Sequence, residues 1–117
     1  MVENNVIYYL SKKFALRIIK LYSFLCETKH EFVISKQLYR SGTSIGANIA
    51  ESTFAQSDAD YVSKLKIALK EASESKYWLE LLYEANALNQ KEFESLVNDV
   101  NTIIGTLINI INKMVKK

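Results

Sequence analysis

No proline interrupts this 117-residue chain, and glycine stands only at positions 42, 46 and 105. A β-sandwich or an α/β fold of this length needs more turn punctuation than that. A helix satisfies its own backbone polar groups and runs for many turns without either residue, so the chain is expected to be all-α. With 49% apolar and 24% charged residues, its composition is that of an ordinary globular domain and excludes a wholly disordered chain. The length fits a single domain that buries about two-thirds of its unfolded surface and needs no disulfide or metal staple.

Four apolar stripes divide the chain. Ile7, Leu10, Phe14, Ile18, Leu21 and Leu25 recur at steps of three and four residues, the signature of one helix face. Thr28 to Ile34 breaks the rhythm and reads as a loop, with Ser35 the expected N-cap of the next helix. That helix carries Leu38, Ile45 and Ile49 beside the small residues Ser41, Gly42, Gly46, Ala47 and Ala50. Glycine costs up to ~1 kcal/mol in a helix interior relative to alanine, so Gly42 and Gly46 imply close approach of another backbone. Ser57 or Asp58 caps a third helix whose inward stripe is Tyr61, Leu65, Ala68, Ala72, Leu79 and Leu82. Asn89 with Glu92 three residues later has the spacing of a capping box. Behind it, Phe93, Leu96, Val97, Val100, Ile103, Ile104, Leu107, Ile108, Ile111, Met114 and Val115 form a stripe wide enough for two buried sides. The spacing predicts helices over about 5–27, 35–55, 58–86 and 90–116. Short loops between helices of this length favour an antiparallel up-down-up-down four-helix bundle in one domain.

A polar line runs along the second helix beside its apolar stripe: Gln37, Arg40, Ser44, Asn48 and Glu51. The third helix carries Lys64, Glu71, Glu74 and Trp78 on a comparable line. Antiparallel pairing about a turn near 54–57 brings Arg40 opposite Glu74 and Asn48 near Lys64. An arginine held against carboxylates in this way forms a two-pronged ion pair. The line contains no nucleophile–base pair, so the expected role of this network is to fix helix register rather than to bind a ligand.

The run Arg40-Ser41-Gly42-Thr43-Ser44-Ile45-Gly46-Ala47-Asn48-Ile49-Ala50-Glu51 resembles the signature of a bacterial four-helix bundle family. That family includes proteins encoded in intervening sequences of 23S ribosomal RNA genes. Its second signature is similar to the segment from Lys64 to Leu79, KLKIALKEASESKYWL. Both matches are extended and stand in the expected order. The resemblance implies an antiparallel four-helix bundle, assembly into a five-membered ring, and no established enzymatic activity. A related accessory protein of diversity-generating retroelements suggests nucleic-acid or reverse-transcriptase binding, by analogy alone.

Net charge is +2, too mild to announce nucleic acid, but its distribution is uneven. Between Asn4 and Cys26 stand Lys12, Lys13, Arg17 and Lys20 with no acid. Antiparallel packing of the first and last helices adds Lys113, Lys116 and Lys117 near the start of the first. This basic strip is the candidate surface for RNA or DNA, and each phosphate it neutralised would steepen salt dependence. The bland reading is an ordinary solvated face.

Enzyme chemistry finds little to work with. His30 is the sole histidine and lies in the first loop, which excludes the paired Glu-x-x-His motifs of a di-iron bundle. The glycines form no phosphate-cradling loop. Cys26 is alone, so it reads as a small hydrophobe and fits a reducing compartment. No signal-peptide pattern opens the chain, and no apolar run approaches the ~18 residues of a membrane span. The sequence therefore predicts a cytoplasmic, non-enzymatic protein without cofactor or membrane contact. It is expected to work as a homo-oligomer, a homopentamer on the strength of the resemblance. Ile104, Ile108 and Ile111, with Tyr22 or Phe24, supply apolar surface beyond what one core needs.

Overall fold

The computed structural model describes residues 2–116, with side chains from Val6 onward. Four helices follow one another: α1 (Val2–Glu27), α2 (Ile34–Ser52), α3 (Asp58–Glu84) and α4 (Gln90–Val115). They form an antiparallel bundle of 47 × 21 × 19 Å, in which each helix packs on its chain neighbours and α4 closes loosely back onto α1. The apolar stripes make one continuous core. Phe14, Ile18, Leu38, Ile45, Leu65, Leu79, Leu96 and Ile103 are among its fully buried members.

The helix ends are set by local chemistry, and some differ from the expected positions. Ser57 accepts from the Asp60 amide at 3.1 Å and Asn89 from the Glu92 amide at 2.8 Å, so α3 and α4 begin on side-chain caps. Ser35 does not cap α2. The helix starts one residue earlier, and the Glu31 carboxylate accepts from the amides of Val33, Ile34 and Ser35 at 3.1, 3.0 and 2.6 Å. One charged side chain reaching back over the loop satisfies three orphan donors, which a serine hydroxyl cannot do. Ser35 lies buried instead, its hydroxyl donating to the Glu31 carbonyl at 2.7 Å. At its other end α2 stops at Ser52 rather than 55, because the amides of Thr53, Phe54 and Ala55 tighten onto carbonyls three residues back. α3 ends at Glu84 in a Schellman motif: Ala87 N–H bonds the Leu82 carbonyl, Asn86 N–H bonds that of Tyr83, and Asn86 itself is left-handed at φ 62°.

Both helical glycines of α2 face α1. A Cβ on Gly42 would stand 3.0 Å from a γ-carbon of the buried Ile18, and one on Gly46 would stand 3.2 Å from Ser11 Oγ. Gly105 on α4 has nothing within 4 Å.

The same substitution therefore has opposite signs at two sites. Gly105→Ala should stabilise the chain by about 0.5–1 kcal/mol through helix propensity alone. Gly42→Ala should lower stability in spite of the same gain, because β-branched Ile18 cannot move aside cheaply. Urea unfolding at one fixed chain concentration measures both. Glu31→Ala should cost about 1 kcal/mol and speed amide exchange at residues 33–35 without affecting the α3 or α4 caps.

Candidate functional site

The α2–α3 seam gathers part of the predicted polar line into one cluster. Arg40 lies on α2 a turn beyond the Glu31 cap, and Glu71 and Glu74 present adjoining carboxylates from α3. Arg40 Nη1 donates to Glu71 Oε2 at 3.2 Å, and its Nη2 donates to Glu74. Trp78 Nε1, one turn beyond Glu74, donates to the same carboxylate at 3.0 Å. The guanidinium is half exposed, whereas the Glu71 side chain retains only 13% of its exposure. Beneath this clamp the buried hydroxyls of Ser41 and Ser75 meet at 2.8 Å across the seam, and Ser75 also donates to the Glu71 carbonyl.

The remaining members of the line do not join. Lys64 pairs with Glu51 at 3.1 Å, farther along the seam, instead of meeting Asn48. Asn48 and Ser44 turn back to carbonyls of their own helix, at Ser44 and Arg40 respectively. Gln37 points to solvent, and its side chain has no polar partner among the described residues. The reason is geometric. Short side chains in a helix interior reach the carbonyl one turn back more easily than a neighbouring helix.

Electrostatics favours the ionised cluster. The Trp78 hydrogen bond, together with Arg40, outweighs partial burial and holds the Glu74 carboxyl below its ordinary range. Burial opposes the Arg40 charge, but Glu74 and Glu71 overcome it and raise its pKa. At Glu31 burial likewise pushes upward, and the amide hydrogen bonds of Ile34, Ser35 and Val33 win, leaving it lowered.

The basic strip is less uniform than its spacing suggests. Arg17 faces α4, bonded to Asp99 at 2.7 Å and close to Glu92 at 3.6 Å, so its charge is largely answered within the chain. Lys12 lies over the Tyr8 ring at 5.9 Å. Lys13 and Lys20 are exposed on the outer side of α1, and Lys113 and Lys116 are exposed at the end of α4. Lys117 lies outside the described residues. Among the described residues no group of three or more His, Cys, Asp or Glu side chains could hold a metal ion, and no helix is long and apolar enough to cross a membrane.

Three contributors were missed by spacing arguments. Ser75 sits on the inward stripe between Ala72 and Leu79, and a serine at such a position is itself a signal that a polar partner faces it. Asp99 could have been placed opposite Arg17 by aligning antiparallel helix ends. Glu31 left no periodic signal, because it acts from a loop.

These features define a class: an all-α bundle whose converging polar groups stitch helices together. The chain belongs to the 23S rRNA-intervening sequence protein family, whose model matches residues 3–109. It is similar to a crystal structure of a protein of unknown function from the S23 ribosomal protein family of Bacteroides thetaiotaomicron. The two share 52% identity over 94% of this chain and 98% of that one, with a TM-score of 0.93. No curated protein matches the chain.

Because Glu74 titrates lower in the folded chain than in the unfolded one, the stabilisation it contributes is complete above the ordinary carboxylate range. It is lost as pH falls through the folded value. Arg40→Met should therefore cost about 1–2 kcal/mol at neutral pH, since Glu71 loses its partner while mostly covered. The difference from the native chain should narrow in acid, as pH falls through the lowered value of Glu74. Urea unfolding at pH 7 and pH 3 tests this.

Proposed function

We propose that this protein is a non-catalytic scaffold that acts by self-association, with the Arg40 cluster serving as a register lock inside each subunit. The observation that carries this reading is apolar surface in mid-helix. On α1, Tyr9 and Leu16 are seven residues apart on one outer side and remain 63% and 54% exposed. On α4, Val97, Ile104, Ile108 and Val115 follow at helical spacing, the last two 41% and 59% exposed. Ile111, expected on this outer face, belongs to the core, and Tyr22 rests on the Tyr39 ring at 4.9 Å. Phe24 and Ile108 keep the exposure expected of them.

Two separate stripes on different helices suit a heterologous contact, the stripe of one copy against the other stripe of the next, the type of contact from which rings are built when the rotation between copies closes. The five-membered ring implied by the resemblance has that symmetry. A cytoplasmic location fits the lone Cys26 thiol. The RNA or DNA reading has thinner support. Arg17 is engaged with Asp99, and Lys12, Lys13, Lys20, Lys113 and Lys116 are spread over solvated surface.

Light scattering at micromolar concentration should return a multiple of the 13.4 kDa chain mass, five times it for the ring. Leu16→Lys and Ile108→Lys, each disabling one stripe, should each give monomers. Mixed together they should form a heterodimer through the surviving pair of stripes. A native chain that stays monomeric refutes the scaffold, and a mixture that stays monomeric refutes the head-to-tail contact.

A further inference from the structure

We propose that the groove between the C-terminal half of α1 and the α3–α4 turn binds a small amphipathic anion, an aromatic or alkyl body carrying one carboxylate or phosphate. The groove encloses about 730 Å³, within the ~300–1,000 Å³ range of small-molecule sites. It shares no residue with the Arg40 cluster or with the two apolar stripes, and on α1 it begins at Arg17, the residue after Leu16.

The floor is apolar and fixed. Leu21 and Leu88 lie beneath it, each only 6% exposed, and Phe24 presents a ring that is still 44% exposed. Tyr83 lines one wall, held by stacking on Phe93 with ring centroids 4.4 Å apart and planes 8° from parallel. The turn that closes the groove is fastened on both sides, by the Asn86 Schellman motif and the Asn89 cap, so little backbone freedom remains to be lost on binding.

The mouth is cationic. Arg17, Lys20 and Lys29 border it, against the single carboxylate of Glu92. Arg17 bonds Asp99 and stands farther from Glu92, whereas Lys20 and Lys29 have no polar partner among the described residues and leave the rim with a net positive charge. Two ammonium groups at the rim of a groove whose floor is apolar and whose turn side carries Asn86, Asn89 and Gln90 select a ligand with one anionic end and one greasy end. The ammonium groups repel a metal cation, and a neutral hydrocarbon uses only the floor. A polyanion needs positive charge continuing past the groove, and that line is interrupted where Arg17 pairs with Asp99.

The test uses the full chain and a fluorescent pair differing in charge: 8-anilinonaphthalene-1-sulfonate and the neutral N-phenyl-1-naphthylamine. The sulfonate should saturate at one site per chain and be displaced by decanoate or by 1-naphthyl phosphate, whose relative potency tells an alkyl carboxylate from an aryl phosphate. Lys20→Gln with Lys29→Gln should weaken the sulfonate about fivefold or more and leave the neutral probe within about twofold. Phe24→Ala should weaken both probes. Leu16→Lys should leave the stoichiometry unchanged, separating this groove from a self-association surface. The proposal is overturned if the double glutamine variant binds the sulfonate as the native chain does, if Phe24→Ala changes neither probe, or if no saturable site is found.

Discussion

How closely α2 can lie against both of its neighbours sets the rest of this structure. It is the shortest helix, 19 residues, and it forms the two most extensive helix seams. Toward α1 it offers glycine at 42 and 46, so that Ile18 and Ser11 approach the bare backbone. Toward α3 it offers Ser41, whose hydroxyl meets that of Ser75 in the fully buried seam. Larger side chains at these positions would push the helices apart, and dispersion contacts fall steeply with a gap of an ångström. The glycines lower local helix propensity, and the seam they permit outweighs that loss.

Close packing fixes distance but not register. Small residues slide past one another by a helical turn at little cost, so something directional must choose the alignment. The Arg40 fork is the directional contact of this seam, one guanidinium reaching two carboxylates one turn apart on α3. Trp78 then ties Glu74 to its own helix, so that the acceptor is already oriented. Farther along the seam Lys64 and Glu51 form a second, more exposed pair with less directionality. The polar residues along the α2–α3 seam are thus mostly engaged with one another. The chemistry left free lies elsewhere: the outer apolar stripes, and the groove at the end of the bundle where Lys20 and Lys29 have no polar partner among the described residues.

Much of this was legible from spacing. The inward stripe of α3, Tyr61 through Leu82, is buried throughout, and Leu38, Ile45 and Ile49 are buried on α2. Arg40 against Glu74 followed from antiparallel alignment alone. What escaped were contacts made by loops and by short polar side chains. The Glu31 cap depends on the path of a loop with no periodicity, and Asn48 satisfied itself within its helix before it could meet Lys64. Ile111 was assigned outward because a wide stripe does not reveal which of its edges the neighbouring helices cover.

By itself, the sequence determined that the chain is four amphipathic helices with a shared core, because periodicity and the absence of proline are local properties that each segment carries alone. Only the tertiary structure decided which polar groups are spent on one another and which remain available. Arg17 and Lys20 are equivalent cations on one helix face, yet the first is answered by Asp99 and the second stands at the mouth of a groove. That difference arises from how α1 and the α3–α4 turn meet in space. Pairwise electrostatic partners depend on distances of a few ångströms between residues far apart in the chain, and no local pattern encodes them.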